Sequence, residues 1–125
     1  MKELEQLILN FLRVRKWDNL RPGDLAKSIM IEGAELLEHF QWENLTLEEV
    51  KAQPEKIEEI KKELADVLIY TLQLSTLLGF DTVEIIRHKL ELADKKYPVS
   101  LMINRSENDN TYQRIKKEYR SAKNS

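Results

Sequence analysis

The chain has 125 residues, of which 42% are hydrophobic and 34% are charged, and its formal net charge is −2. This length accommodates one domain with its own core, and the near-neutral charge gives no indication of nucleic-acid binding. Cysteine is absent, which excludes disulfide bonds, thiolate metal ligands and cysteine nucleophiles, and which fits a reducing, cytoplasmic location. No apolar run approaches the roughly 20 residues that a membrane-spanning helix needs, so we expect no membrane partner.

Apolar residues recur at helical spacing along most of the chain, and no segment makes a convincing strand. The sequence therefore predicts an all-α, four-helix-bundle-like fold with short connections. Asp24 is the expected N-cap of the second helix, and Thr46 with Glu49 has the spacing of a capping box for a short turn of helix. The main predicted helices cover residues 3–15, 25–41, 55–78 and 82–97.

The end of the chain differs from the rest in charge. Residues 1–99 contain 14 basic and 19 acidic side chains, whereas residues 100–125 contain six basic and three acidic ones. A weak apolar pattern over residues 111–122 indicates one more short helix. We interpret residues 1–99 as the folded domain and residues 100–125 as a basic, polar tail that is partly helical.

The second predicted helix is apolar on nearly every side, yet it carries Glu32, Glu35 and Glu38. Such a helix is usually buried, and a buried carboxylate normally takes up a proton or finds a cation. Glu32 and Glu35 are three residues apart and share one helix face, and Glu63 and Asp66 repeat this spacing on the third main helix. If the two helices run antiparallel, the four carboxylates converge.

These carboxylates are hard oxygen ligands, which select Mg²⁺, Mn²⁺ or Ca²⁺ over zinc or copper. The apolar neighbours of Glu32 and Glu35 favour a functional role for that pair. Glu63 and Asp66 alone are equally compatible with a solvated helix face, because such pairs are common in helical proteins. A purely structural bundle therefore stays open at this point. A carboxylate-bridged di-iron site is rejected, because neither His39 nor His88 follows a glutamate by three positions. Both histidines are weak candidates for catalysis.

Taken together, the two acidic pairs resemble the metal motif of MazG-like nucleoside-triphosphate pyrophosphohydrolases. Twenty-seven residues separate Glu35 from Glu63, and the resemblance extends over about residues 5–99. It is closest to the short, single-domain branch that includes the dCTP pyrophosphatases. The segments that carry the resemblance are 31–42, 63–70, 89–90 and 96–99.

The resemblance implies Mg²⁺-dependent hydrolysis of (deoxy)nucleoside triphosphates to the monophosphate and pyrophosphate, with Mn²⁺ as a substitute and nucleotide-pool cleansing as the task. It also implies a homodimer or a dimer of dimers, in which oligomerisation completes the fold and covers the apolar second helix. Glu38 is a candidate for the general base or for an additional ligand. The metal ligands implied by the resemblance are Glu32, Glu35, Glu63 and Asp66.

Aromatic and basic residues at matching positions complete the implied site. Rings suit stacking on a base, and lysines suit contact with phosphates. The alternatives are that both tryptophans pack in a core or an interface and that Lys96 is solvated. The aromatic residues implied to contact the nucleoside are Trp17, Trp42 and Tyr70, and the basic residues implied to lie near the phosphates are Lys89 and Lys96.

Several positions depart from the pattern of the dCTP-cleaving relatives. The loop from Trp17 to Pro22 is one residue shorter and lacks their histidine, Asp24 and Ala93 replace asparagines, and Ile31 replaces a glutamate of the wider motif. All metal positions are intact, so the departures bear on base and sugar preference. They also motivate one alternative, a non-catalytic nucleotide-binding sensor or assembly module with a relict site.

Overall fold

The computed structural model describes residues 1–102 and 111–124, which are helical with short connections. In these residues there are seven helices and no strand, which confirms the all-α prediction. The helix expected near the end of the chain is present as well. The helices are α1 (Lys2–Val14), α2 (Pro22–Glu38), α3 (Leu47–Lys51), α4 (Pro54–Leu77), α5 (Thr82–Lys96), α6 (Val99–Met102) and α7 (Thr111–Asn124).

Helix α1 ends in a turn that fixes the position of Trp17. Lys16 adopts a left-handed backbone conformation with φ of 58°. The N–H of Trp17 donates to the carbonyl of Leu12 at 2.9 Å, and the N–H of Lys16 donates to the carbonyl of Arg13 at 3.0 Å. This is a Schellman motif, which satisfies the last carbonyls of a helix. The Trp17 ring then packs edge-on against Phe11, with ring centroids 6.1 Å apart.

Helix α2 begins at Pro22, earlier than predicted, with Arg21 at the N-cap. Proline suits the first helical position, because its φ is already helical and its missing N–H would have no partner there. The prediction that Asp24 caps this helix is therefore wrong. Asp24 lies within the first turn instead, where its carboxylate faces the positive end of the helix dipole and lies 3.9 Å from the Lys27 ammonium.

The capping box predicted before α3 is present. The N–H of Glu49 donates to Thr46 Oγ1 and the N–H of Thr46 donates to Glu49 Oε1, each at 3.2 Å. Both N–H groups belong to the first turn of a helix, where no backbone carbonyl can reach them. The box therefore sets the start of α3 within the short link between α2 and α4.

Helix α4 ends in the same motif as α1, here with a glycine in the left-handed position. Gly79 has φ of 76°, its N–H donates to the carbonyl of Thr76, and the N–H of Phe80 donates to the carbonyl of Ser75, both at 3.0 Å. The hydroxyls of Ser75 and Thr82 then share a buried hydrogen bond of 2.6 Å. This bond ties the end of α4 to the first residue of α5.

Helix α4 organises the first part of the chain, since α2 packs along it most extensively and α1 and α3 also contact it. Ile8 and Leu12 of α1 meet Leu72 of α4 in a small core, and Leu25 of α2 is also buried. The described residues divide into two compact units, Met1–Thr82 and Val83–Ser125. The domain boundary that we placed after residue 99 stays a prediction.

The expectation that α2 is buried is wrong for the single chain. Leu25 is its only buried residue, because the described part of the chain covers only one face of the helix. More than half of the surface of Met30, Ile31 and Leu37 is exposed.

No single described helix is long and apolar enough to cross a membrane, and only α4 and α5 taken together reach the required length and composition.

Candidate metal centre and adjoining pocket

The carboxylates of α2 and α4 converge as their spacing predicted. Oxygen atoms of Glu32, Glu63 and Asp66 all lie within 4.8 Å of one another. The Glu35 carboxyl is within hydrogen-bonding reach of both Glu32 and Glu63. The i,i+3 spacing places each pair on one helix face, and the packing of α2 along α4 turns these faces toward each other.

The two helices run antiparallel through this site. Near the end of α2, His39 lies beside Glu63, whereas near its start Ser28 shares a pocket with Tyr70. Glu32 and Asp66 meet between these points. Later residues of α2 therefore lie beside earlier residues of α4, so the two helices are antiparallel. The sequence interpretation required this arrangement for the carboxylates to converge.

Within the acidic cluster, the pKa values of Glu32 and Glu63 are raised above the ordinary glutamate value. Partial burial raises the pKa of Glu32, and a hydrogen bond with Glu35 and the negative charges of its neighbours raise it further. Partial burial likewise raises the pKa of Glu63, with the same contributions from Glu35 and Asp66, while the nearby His39 acts in the opposite direction. Carboxylates that are both desolvated and crowded favour either a proton or a bound cation.

The residues present fit a divalent cation. Glu32 Oε2 is buried and has no hydrogen-bond partner among the residues that the structure describes. A buried polar atom without a partner is rare in folded proteins and requires an explanation. A cation held by the carboxylates would supply that partner and would relieve the repulsion within the cluster. The donor set consists of carboxylate oxygens, which is the chemistry that Mg²⁺ and Mn²⁺ prefer.

Two further residues of α2 bear on this cluster. His39 Nε2 lies 4.0 Å from Glu63 Oε1, although the sequence interpretation gave His39 little weight. The signal was present, because His39 follows Glu35 by four residues and so lies on the same helix face. Glu38 is the last residue of α2 and is exposed, and it is not among the three residues whose oxygens group most closely.

A pocket of about 490 Å³ adjoins the cluster and shares Asp66 with it. The structure brings Trp17 and Tyr70 together in its wall. Sequence reasoning missed Phe11 and Gln73, although Gln73 follows Tyr70 by three residues on α4 and so lies on the same face. The lining residues are Phe11, Leu12, Trp17, Leu20, Asp24, Leu25, Ser28, Asp66, Ile69, Tyr70 and Gln73.

The other sequence-predicted residues lie elsewhere. Trp42 is 87% exposed, follows the end of α2 and does not line this pocket. Lys89 and Lys96 belong to the second compact unit, where both line one pocket together with residues of α7. The structure therefore brings together two of the three predicted aromatic residues, and it brings the two lysines together at a separate pocket.

Comparison with known proteins supports the resemblance. The chain is similar to dCTP pyrophosphatase 1 of Bos taurus, at 29% identity over 105 residues, which is 81% of this chain and 61% of the relative. It thus spans less than two thirds of that relative. It is also similar to the crystal structure of a pyrophosphatase from Archaeoglobus fulgidus, at 39% identity and a TM-score of 0.69, covering 78% of this chain and 92% of that one. The model of the MazG-like family matches residues 27–115, which include all four clustered carboxylates, and the chain therefore belongs to the MazG-like family.

Proposed function

We propose that this protein hydrolyses nucleoside triphosphates to the monophosphate and pyrophosphate, with Mg²⁺ as cofactor and Mn²⁺ able to replace it. The observation that carries the proposal is the continuity of the acidic cluster with the aromatic pocket, because Asp66 belongs to both. A triphosphate needs a cation site for its phosphates and an apolar pocket for its base, and here the two adjoin. The two similar proteins named as pyrophosphatases support this reading.

In this proposal, Glu32, Glu35, Glu63 and Asp66 hold the cation. Such an ion would supply positive charge against the phosphate oxygens and would acidify a water molecule. Glu38 follows Glu35 by three residues on the same helix face, and its exposed carboxylate would accept the proton of the attacking water. His39 would hold Glu63 in place through the 4.0 Å contact.

The pocket is the proposed site of the base and sugar. Its volume of about 490 Å³ is in the range of small-molecule pockets in proteins. Trp17 would stack on or against the base, and Tyr70 would contact it from the same pocket wall. The Schellman turn after α1 holds Trp17 in place, which reduces the ordering that binding requires. Trp42 stays a proposed nucleoside contact that the single chain does not supply.

The base preference follows from the character of this pocket. A stacking site tolerates different bases, whereas a site that hydrogen-bonds one base rejects the others strongly. By the resemblance, the shortened loop from Trp17 to Pro22 lacks a polar group that the dCTP-cleaving relatives have. We therefore propose pyrimidine deoxynucleotides as preferred substrates, with kcat/KM values within about tenfold of one another.

The exposed apolar surface supports an oligomer. Met30, Ile31 and Leu37 of α2 are more than half exposed, and Leu64 and Leu68 of α4 are also exposed. Met30 and Leu37 are seven residues apart on one face of α2, and Leu64 and Leu68 are four residues apart on one face of α4. Exposed apolar patches mark interaction sites in soluble proteins. We propose a homodimer or a dimer of dimers that covers these faces, acting on the nucleotide pool of the cytoplasm and removing unwanted nucleotides from it.

The test is a panel of triphosphates assayed with Mg²⁺ and, in parallel, with Mn²⁺ or EDTA. Pyrophosphate and orthophosphate are measured separately, and kcat/KM is compared for dCTP, dUTP, dTTP, CTP and dATP. We expect release of pyrophosphate only, and no turnover in EDTA. Stepwise release of orthophosphate would mean that a different bond is cleaved.

The same panel tests the choice of substrate and the alternative function. A purine or a ribonucleotide favoured by about a hundredfold would overturn the proposed preference, because a tolerant stacking pocket does not discriminate to that degree. Tight binding of Mg²⁺ and nucleotide by the folded protein, with no turnover of any member of the panel, would instead identify a nucleotide sensor.

A further inference from the structure

We propose that Gln73 of α4 reads the edge of the base, through hydrogen bonds between its side-chain amide and the polar groups of a pyrimidine. The inference rests on the proposed function for the identity of the ligand, and it adds a specificity-determining residue to the pocket beside the acidic cluster. Gln73 lines this pocket, and every residue that lines it belongs to the compact unit Met1–Thr82.

The buried part of the pocket lining is apolar except for Gln73. Three of the lining residues are buried, namely Leu12, Leu25 and Gln73, and only 5% of the surface of Gln73 is exposed. Ligand pockets in proteins are mostly apolar, with a few polar groups whose positions fix the orientation of the ligand. A glutamine that shares the pocket wall with two buried leucines has the character of such an orienting group.

The side-chain amide of Gln73 makes no hydrogen bond to any residue that the structure describes. By contrast, the buried hydroxyls of Ser75 and Thr82 pair with each other. A buried amide without a partner destabilises the folded state, because it gives up hydrogen bonds to water and gains none from the protein. A leucine at this position would avoid that cost. The amide is therefore explained by a ligand that enters the pocket and supplies its partners.

The order of the residues along α4 matches the order of the groups in a nucleotide. Asp66 belongs to the acidic cluster, and Gln73 follows it by seven residues, so both lie on one helix face about 10 Å apart along the helix axis. Tyr70 lies between them in the same pocket wall. With the phosphates at the cluster, the sugar and the base would extend past Tyr70, and the edge of the base would reach Gln73.

A glutamine amide suits both kinds of pyrimidine. Its carbonyl accepts a hydrogen bond and its NH₂ group donates one, so it can pair with two adjacent groups on the edge of a base. Cytosine presents an amino donor beside a ring-nitrogen acceptor, whereas uracil and thymine present an oxo acceptor beside a ring N–H donor. A half-turn of the amide exchanges its two groups, and this terminal torsion is broad and roughly twofold. Gln73 can therefore read either edge, which agrees with a weak preference among pyrimidines.

The test is calorimetric titration of the full-length protein in Mg²⁺ with the α,β-imido analogues of dCTP and dUTP, whose nitrogen bridge blocks cleavage. Gln73→Leu removes the amide at similar volume. We expect it to bind both analogues at least about tenfold more weakly, because the base loses its hydrogen bonds to the amide. Inorganic tripolyphosphate, which has no base, should bind the variant and the wild type equally. The matched control is Gln6→Leu, the same change at an exposed residue of α1 outside the pocket.

Thermal unfolding without ligand separates a residue that reads the base from one that supports the fold. If the amide of Gln73 serves the ligand, Gln73→Leu should unfold at a temperature no lower than that of the wild type. Weaker binding of both analogues by such a stable variant supports the inference. Unchanged binding, a lower unfolding temperature, or an equal loss in Gln6→Leu or with tripolyphosphate would overturn it. A loss confined to one analogue would overturn the assignment of both edges to Gln73.

Turnover of dCTP, measured in parallel, distinguishes this inference from the proposed function. If the wild type binds the analogues through Gln73 but releases no pyrophosphate from dCTP, the inference is upheld and the proposed function is rejected. If the wild type and Gln73→Leu release pyrophosphate with equal kcat/KM, the proposed function is upheld and the inference is overturned.

Discussion

At the scale of single residues, the main feature is the acidic cluster, in which oxygen atoms of Glu32, Glu63 and Asp66 lie within 4.8 Å of one another. We predict that Glu35→Gln and Asp66→Asn each lower kcat/KM by at least about 100-fold, because each removes a proposed metal ligand while keeping the side-chain volume. Circular dichroism should show an unchanged fold. In EDTA both variants should be at least as stable as the wild type, since each removes one like charge from a crowded cluster.

The control for these variants is Glu59→Gln on the same helix. Glu59 is exposed and pairs with Lys62 at 3.1 Å, outside the cluster. Loss of such a surface pair costs at most about 1 kcal/mol and should leave turnover unchanged. Wild-type activity in both Glu35→Gln and Asp66→Asn would refute the assignment of the site.

The raised pKa values of Glu32 and Glu63 predict how stability without metal depends on pH. The folded protein holds the protons of these two carboxyl groups more tightly than the unfolded chain does. Between pH 4.5 and the raised pKa values, the unfolded chain therefore binds fewer protons. The free energy of unfolding therefore falls as pH rises from 4.5, the ordinary glutamate value, through the raised pKa values. Below 4.5 both states are protonated and the effect is absent.

Urea unfolding in EDTA at a series of pH values measures this dependence. Other acids behave differently; for example, a hydrogen bond from Lys61 lowers the pKa of Glu58. The comparison is therefore between the wild type and Glu32→Gln, whose stability should fall less steeply above pH 4.5. Mg²⁺ should restore stability to the wild type at neutral pH. A steeper fall in the variant would contradict the prediction.

At the scale of the helix, α1 and α4 end in the same motif but with different residues in the left-handed position. Lys16 has φ of 58° and Gly79 has φ of 76°. A side chain in this conformation costs about 1 kcal/mol, which glycine avoids. We predict that Lys16→Gly stabilises the protein by up to about 1 kcal/mol and that Gly79→Ala destabilises it by about the same amount.

Thermal unfolding of Lys16→Gly and Gly79→Ala measures both predicted changes in stability. No atom lies within 4 Å of a Cβ built on Gly79, so the cost of Gly79→Ala comes from its backbone conformation and not from a clash. The control is Lys16→Ala, which removes the lysine side chain but keeps the left-handed strain, and it should therefore lack the gain of Lys16→Gly. Equal stability of Lys16→Gly and Lys16→Ala would contradict the argument.

At the scale of the whole molecule, the small core leaves apolar faces on α2 and α4 uncovered. We predict that the wild type sediments as a dimer or a tetramer at micromolar concentration and that Leu68→Glu shifts it to smaller species. A charge at an apolar interface must be desolvated without a partner, which opposes association. The control is Leu68→Met, which preserves volume and should preserve assembly. A wild type that is monomeric at every concentration would refute this prediction.

The sequence alone determined the features that depend on residues close together in the chain. Helical spacing gave the main helices, and the Thr46 and Glu49 box set the start of α3, because capping bonds span only three residues. The i,i+3 spacing of the acids placed each pair on one helix face. Where local signals competed, sequence reasoning failed, since Pro22 at the first helical position moved the start of α2 ahead of Asp24.

Only the tertiary structure decided what meets across the packed helices. The antiparallel packing of α2 on α4 does not follow from the sequence; it is visible in the structure, where His39 lies beside Glu63 and Glu32 lies beside Asp66. The pocket that joins Trp17 to Gln73 needs both the turn after α1 and the packing of α1 on α4. Such contacts depend on the relative placement of whole helices, which many side chains fix jointly, so no short stretch of sequence specifies them.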